Sequence, residues 1–328
     1  MYNCTMDFRI ILLILLCLLL FFSCTSIQRH YMDNVDTKYK SIRTMNELIG
    51  NLVTKKKDTF FDTVIETETH SIPVRVYIPK ELNEDAPLVL YMHGGGFVLG
   101  TYAQKHLVTK QISQKAHCIV VSINYALAPE YPYPEGLMDC LAVYNYFIVN
   151  SSLENCQYRD VIVAGDSAGA SLSAVICQYQ RDKGEKIPLA QILFSPATAK
   201  INPKTGEAWE SRIKNQKKSF LTERSLEVFY DFYLEGKLEE NLYNPYVFPL
   251  MTKDFSGLPP AAFVLCGKDP LYDEGLAYAQ ALQKEGRVEI REFKNKDHNY
   301  QGKEAIDFVV AFIKSIERDW GKDDKRKF

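Results

Sequence analysis

The run Ile162-Val163-Ala164-Gly165-Asp166-Ser167-Ala168-Gly169 joins an apolar, strand-like segment to helix-forming residues through Gly-x-Ser-x-Gly. A serine at such a strand-to-helix turn has its hydroxyl pushed out above the sheet edge, where it can act as a nucleophile. Gly165 and Gly169 flank it at two residues on either side, where strand and helix backbones approach too closely for a Cβ. A second segment, Tyr91-Met92-His93-Gly94-Gly95-Gly96-Phe97, follows the apolar run Leu88-Val89-Leu90. Three glycines after a strand leave backbone amides unshielded. The amides of Gly95, Gly96 and Ala168 can therefore hold a developing oxyanion, with Gly94 shaping the loop. A third region supplies an acid and a base. The buried-strand pattern Ala261–Cys266 ends in Gly267-Lys268-Asp269-Pro270-Leu271, and the alternating stretch Val288–Phe293 is followed by Asp297-His298-Asn299-Tyr300. Together these residues describe two-step acyl transfer: Ser167 attacks a carbonyl, His298 takes and returns the proton, and Asp269 orients the imidazole.

Asp273 competes with Asp269 for the acid role but falls one turn into the following helix, whereas Asp269 stands at the strand end. Asp297 is bonded next to His298 and cannot easily reach its far ring nitrogen. Among six histidines only His298 follows a last strand; His30, His70, His106 and His117 read as surface or packing residues, and His93 as a structural pin for the glycine loop.

Nucleophile, acid and base in that chain order are the order of α/β-hydrolases. From Ala86 to the C-terminus the chain resembles the hormone-sensitive-lipase-like family of those enzymes, which includes bacterial carboxylesterases and arylacetamide deacetylase. Besides the motifs above, the resemblance rests on Tyr125-Ala126-Leu127-Ala128-Pro129-Glu130, on Leu258-Pro259-Pro260 and on Asp269-Pro270-Leu271-Tyr272-Asp273-Glu274-Gly275. Ala170 stands where the family usually has a second elbow glycine, and Asn299 where it usually has Gly or Ala. The resemblance implies an α/β-hydrolase fold with a mostly parallel central sheet, flanking helices and a helical cap. It also implies a serine esterase acting on small esters, with no metal and no organic cofactor. The same triad serves amidases and peptidases. A non-catalytic ligand-binding protein on this fold is a further alternative, against which the complete triad argues.

The elements that must position these groups are legible as strand–helix repeats. Strands are predicted at Leu88–Met92, Cys118–Asn124, Val161–Ala164, Gln191–Phe194, Ala261–Leu265 and Val288–Phe293; most are near-continuous apolar runs, as parallel strands buried on both faces should be. Thr59–Ile65 and Ile72–Ile78 predict a half-buried antiparallel edge, with Val74, Val76 and Ile78 alternating against Arg75 and Tyr77. The longest break, about 198–258, predicts a cap insertion whose aromatic stretch Phe229–Tyr233 either roofs the pocket or serves simple helix packing. Phe97, Tyr102 and Phe229 are the candidate roofing groups, and they suit acyl chains of roughly two to six carbons. The spacing of Ile27, Tyr31, Val35, Ile42, Met45, Ile49 and Leu52 is helical and fits either a lipoprotein tether or an amphipathic cap helix. The resemblance implies the cap, so a tether and N-terminal cap helix is expected over 24–58, ahead of a hydrolase domain at 59–328.

With 328 residues, 46% of them hydrophobic, the chain can bury a large core, and its net charge of −2 gives no electrostatic reason to bind nucleic acid. Beyond the N-terminal region five cysteines remain, Cys118, Cys140, Cys156, Cys177 and Cys266, in no zinc or redox spacing. Cys118, Cys177 and Cys266 read as small core residues, and one Cys140–Cys156 bridge is left open. Ile10–Phe22 is an unbroken apolar run after Arg9, short for a membrane span and suited to the core of a signal peptide over 1–23. Ser23-Cys24-Thr25-Ser26 follows it and resembles a lipobox, although Phe21 and Phe22 depart from that pattern. The favoured expectation is export and membrane anchoring through a lipid on Cys24; simple cleavage and a retained signal-anchor are the alternatives. Acyl chains contribute about 0.8 kcal/mol per buried CH₂, so two or more hold a protein stably. The full chain is accordingly expected to fractionate with membranes, and Cys24→Ala to disturb processing or release it. Wild-type protein found wholly soluble outside the cell and starting after Cys24 would rule the anchor out.

Overall fold

The computed structural model describes residues 41–45, 60–83, 85–150, 152–153, 156–216 and 221–324. The predicted signal segment, Cys24 and most of the predicted N-terminal cap helix lie outside these residues; of that helix only 41–45 are described, and they are helical. Of the two units into which the chain divides, Met1–Ile42 and Arg43–Phe328, the second holds the fold.

Its frame is an eight-stranded sheet in the order β1-β2-β4-β3-β7-β8-β9-β10. The strands are β1 (Phe60–Glu66), β2 (Ser71–Tyr77), β3 (Leu88–Met92), β4 (Val120–Ile123), β7 (Val161–Asp166), β8 (Ala190–Phe194), β9 (Ala261–Cys266) and β10 (Val288–Phe293). A separate two-stranded hairpin is formed by β5 (Ser152–Leu153) and β6 (Cys156–Gln157). β2 runs antiparallel to both neighbours, and every other pairing in the large sheet is parallel. Among the described residues, the helices after 41–45 are α1 (His106–Ala116), α2 (Glu135–Val149), α3 (Ala168–Lys183), α4 (Glu210–Asn215), α5 (Glu223–Tyr233), α6 (Leu238–Asn241), α7 (Tyr272–Gln283) and α8 (Lys303–Asp324).

The predicted strands appear within a residue or two of their expected ends; in the central strands, apolar runs buried on both faces leave little latitude in register. Alternate residues feed opposite layers. Val89, Tyr91, Ile192, Phe194 and Val264 pack with Ile112 of α1 and with Ile306, Val309, Phe312 and Ile313 of α8. Leu193, Phe263 and Leu265 face the other way, onto Ala170 and Ala174 of α3 and Tyr278 of α7.

The predicted exposed face of β2 is wrong. Arg75 and Tyr77 are both buried. Arg75 pairs in a fork with Asp62 of β1, Nε to Oδ1 at 2.6 Å and Nη2 to Oδ2 at 2.7 Å, and its guanidinium lies over the rings of Phe60 and Tyr102 at 4.5 and 4.7 Å. A charge that finds both a carboxylate and aromatic faces tolerates burial that alternation alone does not suggest. Cys118, Cys140, Cys177 and Cys266 are buried, Cys156 is partly buried, and all five are free thiols, so the bridge left open between Cys140 and Cys156 is not formed. The described residues contain no helix long and apolar enough to cross a membrane.

Between β8 and β9 the predicted insertion carries α4, α5 and α6. Thr222 caps α5 reciprocally with Ser225: its Oγ1 accepts from Ser225 N at 3.1 Å, and Ser225 Oγ accepts from Thr222 N at 2.8 Å. A buried contact between Arg212 and Glu274 fastens the insertion to α7. Arg212 of α4 donates through Nε to Glu274 Oε2 of α7 at 2.8 Å and through Nη2 to Ala199 O at 3.0 Å, while Glu274 Oε1 accepts from Thr198 N at 2.9 Å. Burial pushes the Glu274 carboxyl up to about 7, against the pull of Arg212 and the two amides. Folded Glu274 then keeps its proton to higher pH than the unfolded chain does, so its contribution to stability falls as pH rises from about 4.5 to 7. Denaturant unfolding over that range should show the stability of wild type falling relative to Glu274→Gln as pH rises. Parallel curves would show that the pair is ionised throughout.

Candidate active site

The parallel register brings the carboxyl ends of the central strands level: Met92 pairs with Gly165, Asp166 with Phe194, and Phe293 with Cys266. The residues singled out in the sequence all leave from this edge. Ser167 follows β7 with φ 53° and ψ −120°, a conformation few side chains adopt, and serves as the N-cap of α3. Its N–H donates to Phe194 O at 2.9 Å and its carbonyl accepts from Ser171 N at 3.0 Å, which pins the turn on both sides. The flanking glycines are obligatory. A Cβ on Gly165 would lie 2.4 Å from the carbonyl of Gly169, and a Cβ on Gly169 would lie 2.1 Å from Met92 O.

The structure assembles the predicted relay. His298 Nε2 is 3.1 Å from Ser167 Oγ, and His298 Nδ1 is 2.8 Å from Asp269 Oδ2. The second carboxylate oxygen of Asp269 accepts from Leu271 N at 2.8 Å, and all three residues are buried. With Nδ1–H donated to Asp269, the imidazole presents Nε2 as an acceptor toward the serine hydroxyl. Asp273 is occupied elsewhere, its Oδ2 accepting from Ser211 N at 2.7 Å, and Asp297 is exposed. Asn299 has φ 61°, the left-handed region that asparagine tolerates better than most side chains, so its departure from glycine is accommodated.

The glycine loop presents bare amides. Gly95 O accepts from Leu99 N at 2.8 Å and from Val98 N at 3.2 Å, while Gly94 O accepts from His93 Nδ1 at 2.9 Å. In a planar trans peptide the following N–H points opposite to the carbonyl, so the Gly95 and Gly96 amides point away from these bonds. Among the described residues, neither is used as a donor. Ala168 opens α3, where the first amides lack intrahelical partners and the helix dipole favours negative charge. His93 is the structural pin expected of it. It stacks on Tyr125 with ring centroids 4.4 Å apart, and burial lowers its pKa to about 4, so it adds no charge to the loop.

A narrow cavity of about 20 Å³ opens on Ser167 and Ala168, with Gly96 and Phe97 on one side and Leu221, Leu226 and Phe229 of the insertion on another. The Phe229 ring presses on Gly96, where a Cβ would meet it at 2.5 Å, and Tyr233 one turn on stacks on Phe97 with centroids 3.9 Å apart. Phe97 and Phe229 are thus roofing groups as expected. Tyr102 is not, because its ring is taken up by Arg75.

Two features escaped the sequence reading. Asn215 of α4 donates through Nδ2 to Asp269 O at 2.9 Å, tying the insertion to the loop that carries the acid. Asp166 is fully buried, and Lys105 Nζ lies 2.7 Å from its Oδ2. An ionisable residue ending a buried strand was a visible signal; nothing in the sequence pointed to its partner.

Residues 89–302 match the family model described as alpha/beta hydrolase fold, and residues 24–129 match the carboxylesterase family model. The chain is 32% identical over 265 residues to Carboxylesterase NlhH of Mycobacterium tuberculosis, covering 80% of each chain. It is 29% identical over 270 residues to an arylesterase of Saccharolobus solfataricus, covering 79% of this chain and 84% of that one. Among solved structures, the thermostable carboxylesterase EstE1 from a metagenomic library superimposes with a TM-score of 0.74 at 30% identity, over 86% of this chain and 97% of that one. A hyperthermophilic esterase of Pyrobaculum calidifontis gives 0.76 at 28% identity, over 89% and 96%.

The close approach at the elbow is directly testable. Gly169→Ala forces a methyl into the backbone of Met92 and His93 and is expected to cost about 3 kcal/mol or more, or to prevent folding. An unchanged denaturant midpoint would show that the backbones are not in contact there.

Proposed function

The chain belongs to the hormone-sensitive-lipase-like family of α/β-hydrolases and is a carboxylic ester hydrolase, and from that premise we propose that it cleaves short-chain acyl esters through Ser167, His298 and Asp269. The observation that carries this reading is the continuous relay from Asp269 through His298 to the strained Ser167 hydroxyl, beside unused amides.

In the first step Ser167 Oγ attacks the ester carbonyl while His298 Nε2 takes its proton. Asp269 stabilises the imidazolium through the Nδ1–H bond. The amides of Gly95, Gly96 and Ala168 receive the oxyanion, and a donor of this kind contributes about 10²–10³ in rate. Collapse of the tetrahedral intermediate expels the alcohol, protonated by His298, and leaves an acyl-serine. Water then enters, gives its proton to His298 and releases the acid as the serine is reprotonated.

The narrow cavity supports small acyl groups. A chain lodged beside Gly96 meets Phe229 and Leu226, and each methylene that fits adds only about 1 kcal/mol. The proposed membrane anchor at Cys24, on the periplasmic or cell-surface side, rests on the lipobox-like Ser23-Cys24-Thr25-Ser26 after the apolar run.

Three variants test this reading with aryl esters of increasing acyl length. Ser167→Ala should abolish hydrolysis and fluorophosphonate labelling with an unchanged melting temperature. Asp269→Asn should lower kcat by about 10⁴, the effect seen when the orienting acid of such a triad is neutralised, whereas Asp273→Asn should stay within a few-fold of wild type. Specificity constants should fall beyond six carbons and shift to longer chains in Phe229→Ala. Constants still rising past ten carbons would show that the roof is open.

A further inference from the structure

A second cluster of polar groups, Tyr91 and Asp166 buried and Lys105 and Gln301 partly buried, lies beside the triad and takes no part in the chemistry above. The Asp166 carboxylate, wholly excluded from solvent, is pressed against the glycine loop: a Cβ on Gly94 would lie 2.4 Å from its Oδ2. Tyr91 Oη donates to Asp166 Oδ1 at 2.8 Å, and Lys105 Nζ lies 2.7 Å from Oδ2. No aligned hydrogen bond accompanies the lysine contact, so Lys105 acts on that oxygen as a charge rather than as a directed donor. Gln301 closes a ring, its Nε2 donating to Tyr91 Oη at 2.8 Å and its Oε1 accepting from Lys105 Nζ at 3.4 Å. Burial holds the Tyr91 hydroxyl well above the usual tyrosine range, which keeps it a donor.

The origins of the four residues suggest what the ring does. Tyr91 is on β3 just before the glycine loop, and Lys105 ends the 3₁₀ turn Tyr102–Lys105 just after it. Asp166 adjoins the nucleophile, and Gln301 lies three residues beyond His298. One ring therefore ties together the elbow, both ends of the oxyanion loop and the loop of the general base. It also places a carboxylate next to the site where an acyl-transfer transition state gathers negative charge, where low dielectric strengthens any repulsion. A buried carboxylate without a partner is strongly unfavourable, and the partner here is Lys105.

We propose that Tyr91, Lys105, Asp166 and Gln301 form a positioning ring that holds the oxyanion loop and the His298 loop in register with Ser167, with Lys105 as the counter-charge that keeps Asp166 from opposing the oxyanion. The proposal rests on the serine-esterase reading and adds to it four residues that never touch substrate.

The test uses the full chain, p-nitrophenyl butyrate and active-site titration with a fluorophosphonate. Lys105→Met should lower kcat by about tenfold or more with KM within about threefold, as expected for a group acting on the transition state rather than on ground-state binding. Lys105→Arg should restore most of the loss. The double variant Lys105→Met/Asp166→Asn should return kcat to within about fivefold of wild type, since removing both members of a buried pair is far milder than removing one. Wild-type kcat in Lys105→Met, or a double variant no faster than the single one, would overturn the proposal. If Lys105→Met does not fold, the double variant decides alone: kcat within about fivefold of wild type supports Lys105 as the counter-charge to Asp166, and a greater loss overturns it. A wild-type protein that neither hydrolyses the ester nor takes the label would instead refute the esterase reading.

Discussion

Everything at this site depends on the contact of three backbones at the end of β7. Gly165, Gly169 and the carbonyls of Met92 and His93 meet with no space for a side chain. That contact holds Ser167 in a backbone conformation that costs on the order of 1–3 kcal/mol elsewhere. It also places the last residues of β3 against the first turn of α3. The Ser167 turn and the Gly94–Gly96 loop are therefore packed directly together, and the distance from the serine hydroxyl to the loop amides is set by that packing. A looser turn would leave the same residues present and badly placed, and orientation errors of this kind are costly in catalysis.

The insertion between β8 and β9 rests on that packed unit at several points. Phe229 lies on Gly96, Tyr233 stacks on Phe97, Asn215 holds the carbonyl of Asp269, and Arg212 reaches Glu274 within the layer below. On the opposite flank Arg43 donates through Nε to Val98 O at 2.7 Å and through Nη1 to Glu130 at 2.6 Å, so the residue after Phe97 is held as well. The insertion thus shapes the pocket and braces the loop carrying the acid.

Much of this was legible in the sequence because the decisive signals are local. Gly165-Asp166-Ser167-Ala168-Gly169 and His93-Gly94-Gly95-Gly96 describe backbone geometries that only those residues satisfy, and strands buried on both faces announce themselves as apolar runs. Asp269 and His298 could be assigned because each follows a strand, which sets them at the same sheet edge before any contact is known. What escaped depends on pairing across the chain. Arg75 was placed on an exposed face because alternation takes no account of Asp62, Phe60 and Tyr102 closing over it. Tyr102 was drawn to the pocket by its type and is held by Arg75 instead. Lys105 and Gln301 carry no local signature, since their meaning comes from Asp166, which lies far from both in sequence.

The central claim is that Ser167 becomes acylated during turnover. Rapid-quench mass spectrometry of the full chain mixed with p-nitrophenyl acetate, followed by peptide mapping, tests it most directly. The account predicts that the peptide bearing Ser167 is transiently heavier by one acetyl group, at an occupancy that rises before steady state and decays when ester is exhausted. Steady turnover with no acetyl on that peptide, or with the acetyl group on another residue, would contradict it.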